Sequence, residues 1–147
     1  MAMGTVRAAM VALPLLIASL ACADPAQAGS RQTAVVIYSD NPAARAQQIE
    51  YGYSDAVVTA DGTVYLSGVV VGLPPGDADI EAAFTRAYER IGDTLLRAGA
   101  TWEDVVDVTS FHTDLTSQIE TMSRVHKRHI APPYSAWTAI QVSRLFP

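Results

Sequence analysis

Cysteine is almost missing from this sequence: Cys22 is the single one among 147 residues. Histidine is scarce at three, and ten Lys plus Arg face fifteen Asp plus Glu, a net charge of −5. Each shortage closes a class of function. One cysteine makes no internal disulfide and no cysteine metal site. A negative balance supplies no basic groove for nucleic acid. His126 and His129 flank Lys127 and Arg128, cations that oppose a dication, so no metal is expected there, and a solvated basic helix end is the expectation instead. There is no GxSxG, no phosphate-cradling glycine loop and no HExxH. What is present is apolar side chain, half of all residues, enough to bury the core of one soluble domain.

The N-terminus stands apart. Arg7 precedes the apolar run AAMVALPLLIASLACA, too short and too rich in small residues for a membrane span. Ala26-Gln27-Ala28 then offers an A-x-A cleavage site before Gly29, and Ala21-Cys22-Ala23 a second. Residues 1–28 are expected to be a signal peptide, which places the mature protein in the periplasm or outside the cell with no membrane attachment after cleavage. Cys22 leaves a lipoprotein anchor as the alternative. Cleavage after Ala28 removes that lone cysteine, so an exported chain without disulfides depends on its core or on association.

From residue 33 the chain reads as a domain. TAVVIY (33–38) is strand-like, and 41–50 is ambiguous, a loop or a helical turn. The runs 53–60 and 63–71, joined through Asp61-Gly62, form a hairpin. Asp77 or Asp79 caps a helix carrying Ile80, Phe84, Ala87, Ile91 and Leu95 at helical spacing, ended by Gly99. Residues 101–104 make a capped turn, 105–113 a strand, and 116–130 a second helix with Ile119, Met122, Val125 and His126 on one side. After Pro132 and Pro133 a strand begins at residue 136, with Trp137, Ala139 and Gln141 opposite Ala136, Thr138, Ile140 and Val142. The expected fold is α+β in two layers: a mainly antiparallel sheet with two helices on one face. The other sheet face is left uncovered, which favours association.

Candidate site residues are few. Ser67-Gly68 lies inside a strand, where glycine permits either a bulge or the close approach of a ligand or another chain. Tyr53 opens its strand, with a hydroxyl that can reach a pocket. Thr109, Phe111 and His112 end a strand together and are expected to flank one rim, with His112 the candidate general base.

Three blocks carry a resemblance: YSDAVVTADGTVYLSG, LLRAGATWEDVVDVTSFHTD and PPYSAWTAIQV. In these, and in their spacing, the chain from about Tyr53 to Leu145 resembles the Rid family, the YjgF-like reactive-intermediate deaminases. The resemblance implies a chorismate-mutase-like fold and a homotrimer with small-ligand pockets at subunit interfaces. It also implies hydrolysis of 2-imino or enamine acids without metal or organic cofactor. In the family an arginine binds the substrate carboxylate. Counted back from Val142-Ser143-Arg144-Leu145, its position falls on Trp137, as in a branch of the family lacking that arginine. The expected pocket is therefore Tyr53, Ser67, Gly68, Phe111, His112 and Trp137, with Trp137 turned to the pocket rather than the core. Arg144, seven residues further along, is too far to take its place without a different geometry; Arg124 or Arg128 from the second helix are the candidates for supplying charge. The family's last strand, with its glutamate, has no counterpart before Pro147, so the domain 33–147 is expected to lack it. Two functions follow: a hydrolase acting on a C=N bond, or a trimer that binds a small metabolite without turnover.

Overall fold

In the computed structural model, residues 31–76 and 78–145 are described. The expected leader at 1–28 and Asp77, one of the two candidate caps, lie outside them. The elements run β1 (Val35–Ile37), α1 (Pro42–Tyr51), β2 (Ala56–Val58), β3 (Val64–Leu66), α2 (Ile80–Arg97), a 3-10 turn (Trp102–Asp104), β4 (Asp107–His112), α3 (Leu115–His129) and β5 (Ala136–Gln141). The α+β class stands, with one correction: among the described residues there are three helices rather than two.

The extra helix is α1, on the stretch 41–50 that by sequence reads as either a loop or a helical turn. Its start is written in Asn41, whose side-chain oxygen accepts from the amides of Ala43 and Ala44, followed by Pro42 at the first position. Its end is written in Gly52, left-handed at φ 73°. The helix has no apolar face. Its one buried residue is Gln48, and Ile49 is exposed. Periodicity gave no signal because a polar side chain fastens it.

Strands β1, β2 and β3 form an antiparallel sheet in that order, with Val36, Val57 and Tyr65 aligned across it. The hairpin turn closes with Gly62 at φ 86°, as Asp-Gly predicts. Strands β4 and β5 form a separate parallel pair, Val108 opposite Trp137 and His112 opposite Gln141. Pairing stops at Leu66, short of the expected residue 71, because among the described residues nothing lies hydrogen-bonded along the far edge of β3.

Helix α2 starts at Asp79, which accepts from the Ala82 amide, and packs on α3. Phe84, Tyr88, Met122 and Val125 form the core cluster, with Val71, Ile80, Trp102 and Trp137 packed against it. Gly92 lets the Trp102 ring press on α2; a Cβ there would lie 3.0 Å from the indole nitrogen. On the opposite side of the strands Val36, Tyr65, Phe111 and Ile140 are exposed. That is the uncovered apolar sheet surface anticipated from the element pattern.

Candidate functional site

The six expected pocket residues separate into three places. Tyr53, Ser67 and Gly68 line one cavity of about 200 Å³, together with Gln47, Gln48, Asp55, Arg90 and Thr94. It sits where α1, the β2–β3 hairpin and α2 meet. Phe111 lies elsewhere, on the uncovered sheet face, 52% exposed and paired with Ile140. His112 and Trp137 lie on the helix side of the β4–β5 pair.

The cavity walls are fixed by polar bonds. Buried Gln48 accepts from the Ser39 amide at 2.8 Å and donates to Asp55 Oδ1 at 2.6 Å. Arg97, from the end of α2, donates to Asp55 Oδ2 at 2.7 Å and to the Tyr38 carbonyl at 2.6 Å. Ser67 Oγ donates to the Ser54 carbonyl at 2.6 Å. Gly68 is open: an added Cβ there meets nothing within 4 Å. Space beside the backbone is thus present, as one of the two readings of this glycine required.

His112 is 2% exposed and both its ring nitrogens are engaged. Nε2 lies 2.9 Å from Ser110 Oγ, and Nδ1 lies 3.1 Å from Gln118 Oε1. Since Gln118 Oε1 can only accept, the proton sits on Nδ1 and Nε2 accepts from the serine hydroxyl. Trp137 Nε1 donates to the same Ser110 Oγ at 2.9 Å. The indole stacks on His126, with centroids 4.8 Å apart and planes at 14°. Trp137 is therefore placed against the core cluster, held by a hydrogen bond and a stacked ring. Thr109 and Phe111 do not share a rim with His112, because a strand alternates sides at every residue.

The helix end that reads as a solvated basic patch is instead half buried. His126 is 4% exposed, and its Nδ1 meets Tyr88 OH at 3.0 Å. Tyr88 stacks on Trp102 at 5.3 Å, and His129 lies against both rings. Burial, then the positive neighbours His129 and Lys127, lowers the pKa of His126. Burial, then Arg128, lowers that of His129, opposed by Glu89. Burial pushes Tyr88 up to about 12. The sign follows: protons bind the unfolded histidines more readily. Stability is expected to hold above the ordinary histidine pKa of 6.5 and to fall as pH drops below it. On the alkaline side it is expected to fall as pH climbs from 10 toward 12, where only the unfolded tyrosine ionises. Urea unfolding at pH 5, 7.5 and 11 checks both limbs; equal midpoints at pH 5 and 7.5 would contradict the first.

Both arginines that could supply charge in place of the family's arginine are already engaged. Arg124 and Arg128 both pair with Glu81, at 3.2 and 2.9 Å. Among the described residues no group of three or more His, Cys, Asp or Glu is placed to hold a metal. Sequence reasoning missed Gln48, Asp55, Arg90 and Arg97. Asp55 inside a hairpin strand was the available signal, but its partner lies 42 residues away.

Comparison with known proteins agrees with this architecture. The family described as Endoribonuclease L-PSP matches residues 42–147. The RutC family protein YjgH of Escherichia coli K12 is 37% identical over 99 residues, 65% of this chain and 75% of that protein. A solved structure of protein YjgH superposes with a TM-score of 0.65 at 32% identity, covering 77% of this chain and 87% of that one. RidA from the Antarctic bacterium Psychrobacter sp. PAMC 21119 gives 0.57 at 27% identity, covering 78% and 89%. With its antiparallel hairpin sheet, its parallel β4–β5 pair and the helices packed over them, this chain belongs to the Endoribonuclease L-PSP family, the YjgF or Rid proteins.

Proposed function

We propose that this protein is a Rid-type hydrolase that converts the C=N bond of a small molecule to C=O, with water consumed and ammonia released. The observation that carries the reading is the cavity that gathers Tyr53, Ser67 and Gly68. Its volume of about 200 Å³ suits a metabolite smaller than a drug-sized ligand. The Tyr53 hydroxyl has no hydrogen-bond partner among the described residues. It is free to hydrogen-bond the imine nitrogen or the attacking water, and the open backbone at Gly68 leaves room for the reacting carbon.

A specific observation favours the second reading, a binder without turnover. Among the described residues Asp55 is the sole carboxylate lining the cavity, and Gln48 and Arg97 occupy both its oxygens. His112 is sealed in the core by Ser110 and Gln118. Among the described residues no free general base stands at the cavity wall.

The uncovered face bearing Val36, Tyr65, Phe111 and Ile140 supports a homotrimer, which would bring Phe111 and a second copy's surface together at an interface pocket. The charge of −5 sets an RNA substrate aside. The Arg7-led apolar run with its A-x-A sites supports export to the periplasm or beyond. An amino-acid oxidase generating 2-imino acids, with semicarbazide competing for them, tests the reaction, and light scattering on the same sample gives the assembly. Faster imine loss than in buffer is expected. A trimer inert on imines, yet retaining a small ligand in equilibrium dialysis, would replace the hydrolase with the binder.

A further inference from the structure

We propose that His126 is an acid-operated latch: when its ring takes a second proton, the last turn of α3 and the segment leading to β5 let go of the ring cluster beneath them, while α1 and the hairpin sheet stay folded. The rings of Tyr88, Trp102, His126, His129 and Trp137 meet at this end of α3. His126 stacks on Trp137 from β5 at 4.8 Å and stands edge-on to Tyr88 from α2 at 6.1 Å. His129 lies 5.2 Å from Tyr88 and 5.3 Å from Trp102. The Tyr88 hydroxyl meets His126 Nδ1 at 3.0 Å. A neutral imidazole accepts through one nitrogen and an imidazolium through neither, so the second proton removes the acceptor to which Tyr88 can donate. The new charge is also uncompensated. The titratable and charged groups facing the two histidines are Tyr88 and Glu89 from α2, and Lys127 and Arg128 from α3 itself. From β5 and the 3-10 turn come Trp137 and Trp102, which do not titrate. Glu89 favours charge on half-buried His129, whereas His126, 4% exposed, is met by the positive His129 and Lys127. His126 is therefore the trigger and His129 is not. Stacking on Trp137 returns a cation–π attraction, smaller than the cost of holding an uncompensated ion out of water. The helix C-terminus, which favours a cation, already has exposed Lys127 and Arg128. The segment that moves is weakly held: Tyr134 is exposed, and Ser135 Oγ is buried without a hydrogen-bond partner among the described residues. Helix α1 and the hairpin are tied instead by Gln48, Asp55 and Arg97, with no histidine among them.

The chain has two tryptophans, Trp102 and Trp137, and both belong to this cluster, so tryptophan emission reports on the latch. The full chain is titrated from roughly pH 7.5 to 4.5, with the emission maximum read beside far-UV circular dichroism. A reversible shift to longer wavelength below the ordinary histidine value of 6.5, at constant dichroism, is expected. Over the same range the amides of residues 126–130 are expected to lose hydrogen-exchange protection while those of β2 keep it. His126→Phe keeps a ring on Trp137 and cannot be charged, so it is expected to lose the shift. His126→Gln keeps a hydrogen-bonding group toward Tyr88, is expected to lose the shift as well, and decides the matter where phenylalanine disturbs folding. His129→Gln is expected to keep the shift. An emission maximum unmoved down to the lowest pH overturns the latch. So does a shift that coincides with loss of dichroism, because that is global unfolding. A shift that survives in either His126 variant, or that His129→Gln abolishes, overturns it too.

Discussion

Trp137→Ala is expected to lower stability by about 3 kcal/mol, a fall in Tm of roughly 10–20 °C for a domain of this size. Three losses combine. The indole's packing against Phe84, Tyr88, Met122 and Val125 disappears. The stacked face of His126 is left against a void. Ser110 Oγ loses a donor in a site where the serine is 7% exposed, although it keeps its bond to His112. Trp137→Phe isolates the last of these. It keeps most of the ring and is expected to cost about 1 kcal/mol, one net hydrogen bond. Trp137→Arg is expected to behave like Ala rather than to install a carboxylate handle. Its guanidinium would meet His126 and Ser110, neither of which is an anion, and a buried cation without a counter-charge is costly. Urea denaturation of the four proteins checks this order. Wild-type stability in Trp137→Ala would show that the ring lies outside the core.

The sequence placed Trp137 on the correct side of its strand and misjudged what that side faces. Alternation assigns Trp137 and Ala139 together but carries no information on which layer lies above them. The same limit applies to His112, Thr109 and Phe111, neighbours in the chain that end on opposite sides of a sheet. Elements with strong local chemistry were legible: the Asp61-Gly62 hairpin, the Asp79-capped α2, and α3 up to Ile130. Helix α1 was not, because its boundary residues Asn41, Pro42 and Gly52 are good signals while its interior lacks an apolar stripe. Of the candidate site, Tyr53, Ser67 and Gly68 lie along one cavity because a single hairpin separates them. Arg90 and Asp55 come from separate elements, and only the packing of α2 over the hairpin brings them to one wall.

That packing depends on Arg97, and its removal is the second large effect expected. Arg97→Met leaves Asp55 Oδ2 and the Tyr38 carbonyl without donors and is expected to cost about 2 kcal/mol, the scale of hydrogen bonds to charged groups. Both partners keep about a quarter of their side-chain surface in water, 28% and 26%, which holds the figure below that of a fully buried pair. Asp55→Ala is expected to cost slightly more, since Gln48 Nε2, inside a residue 2% exposed, also loses its acceptor. The two substitutions share one interaction, so the double variant should lose about 1–2 kcal/mol less than the two single losses combined. Raised salt should narrow that coupling, because the pair is open to screening. The consequence reaches the cavity. Gln48 is α1's buried anchor and Asp55 ties it to α2, so Asp55→Ala frees α1 along with the Tyr53 wall that follows it. Hydrogen exchange of the α1 amides should therefore speed up in Asp55→Ala while the amides of α3 stay protected. Uniform acceleration across both helices would mean that the pair supports the whole fold and not this wall alone.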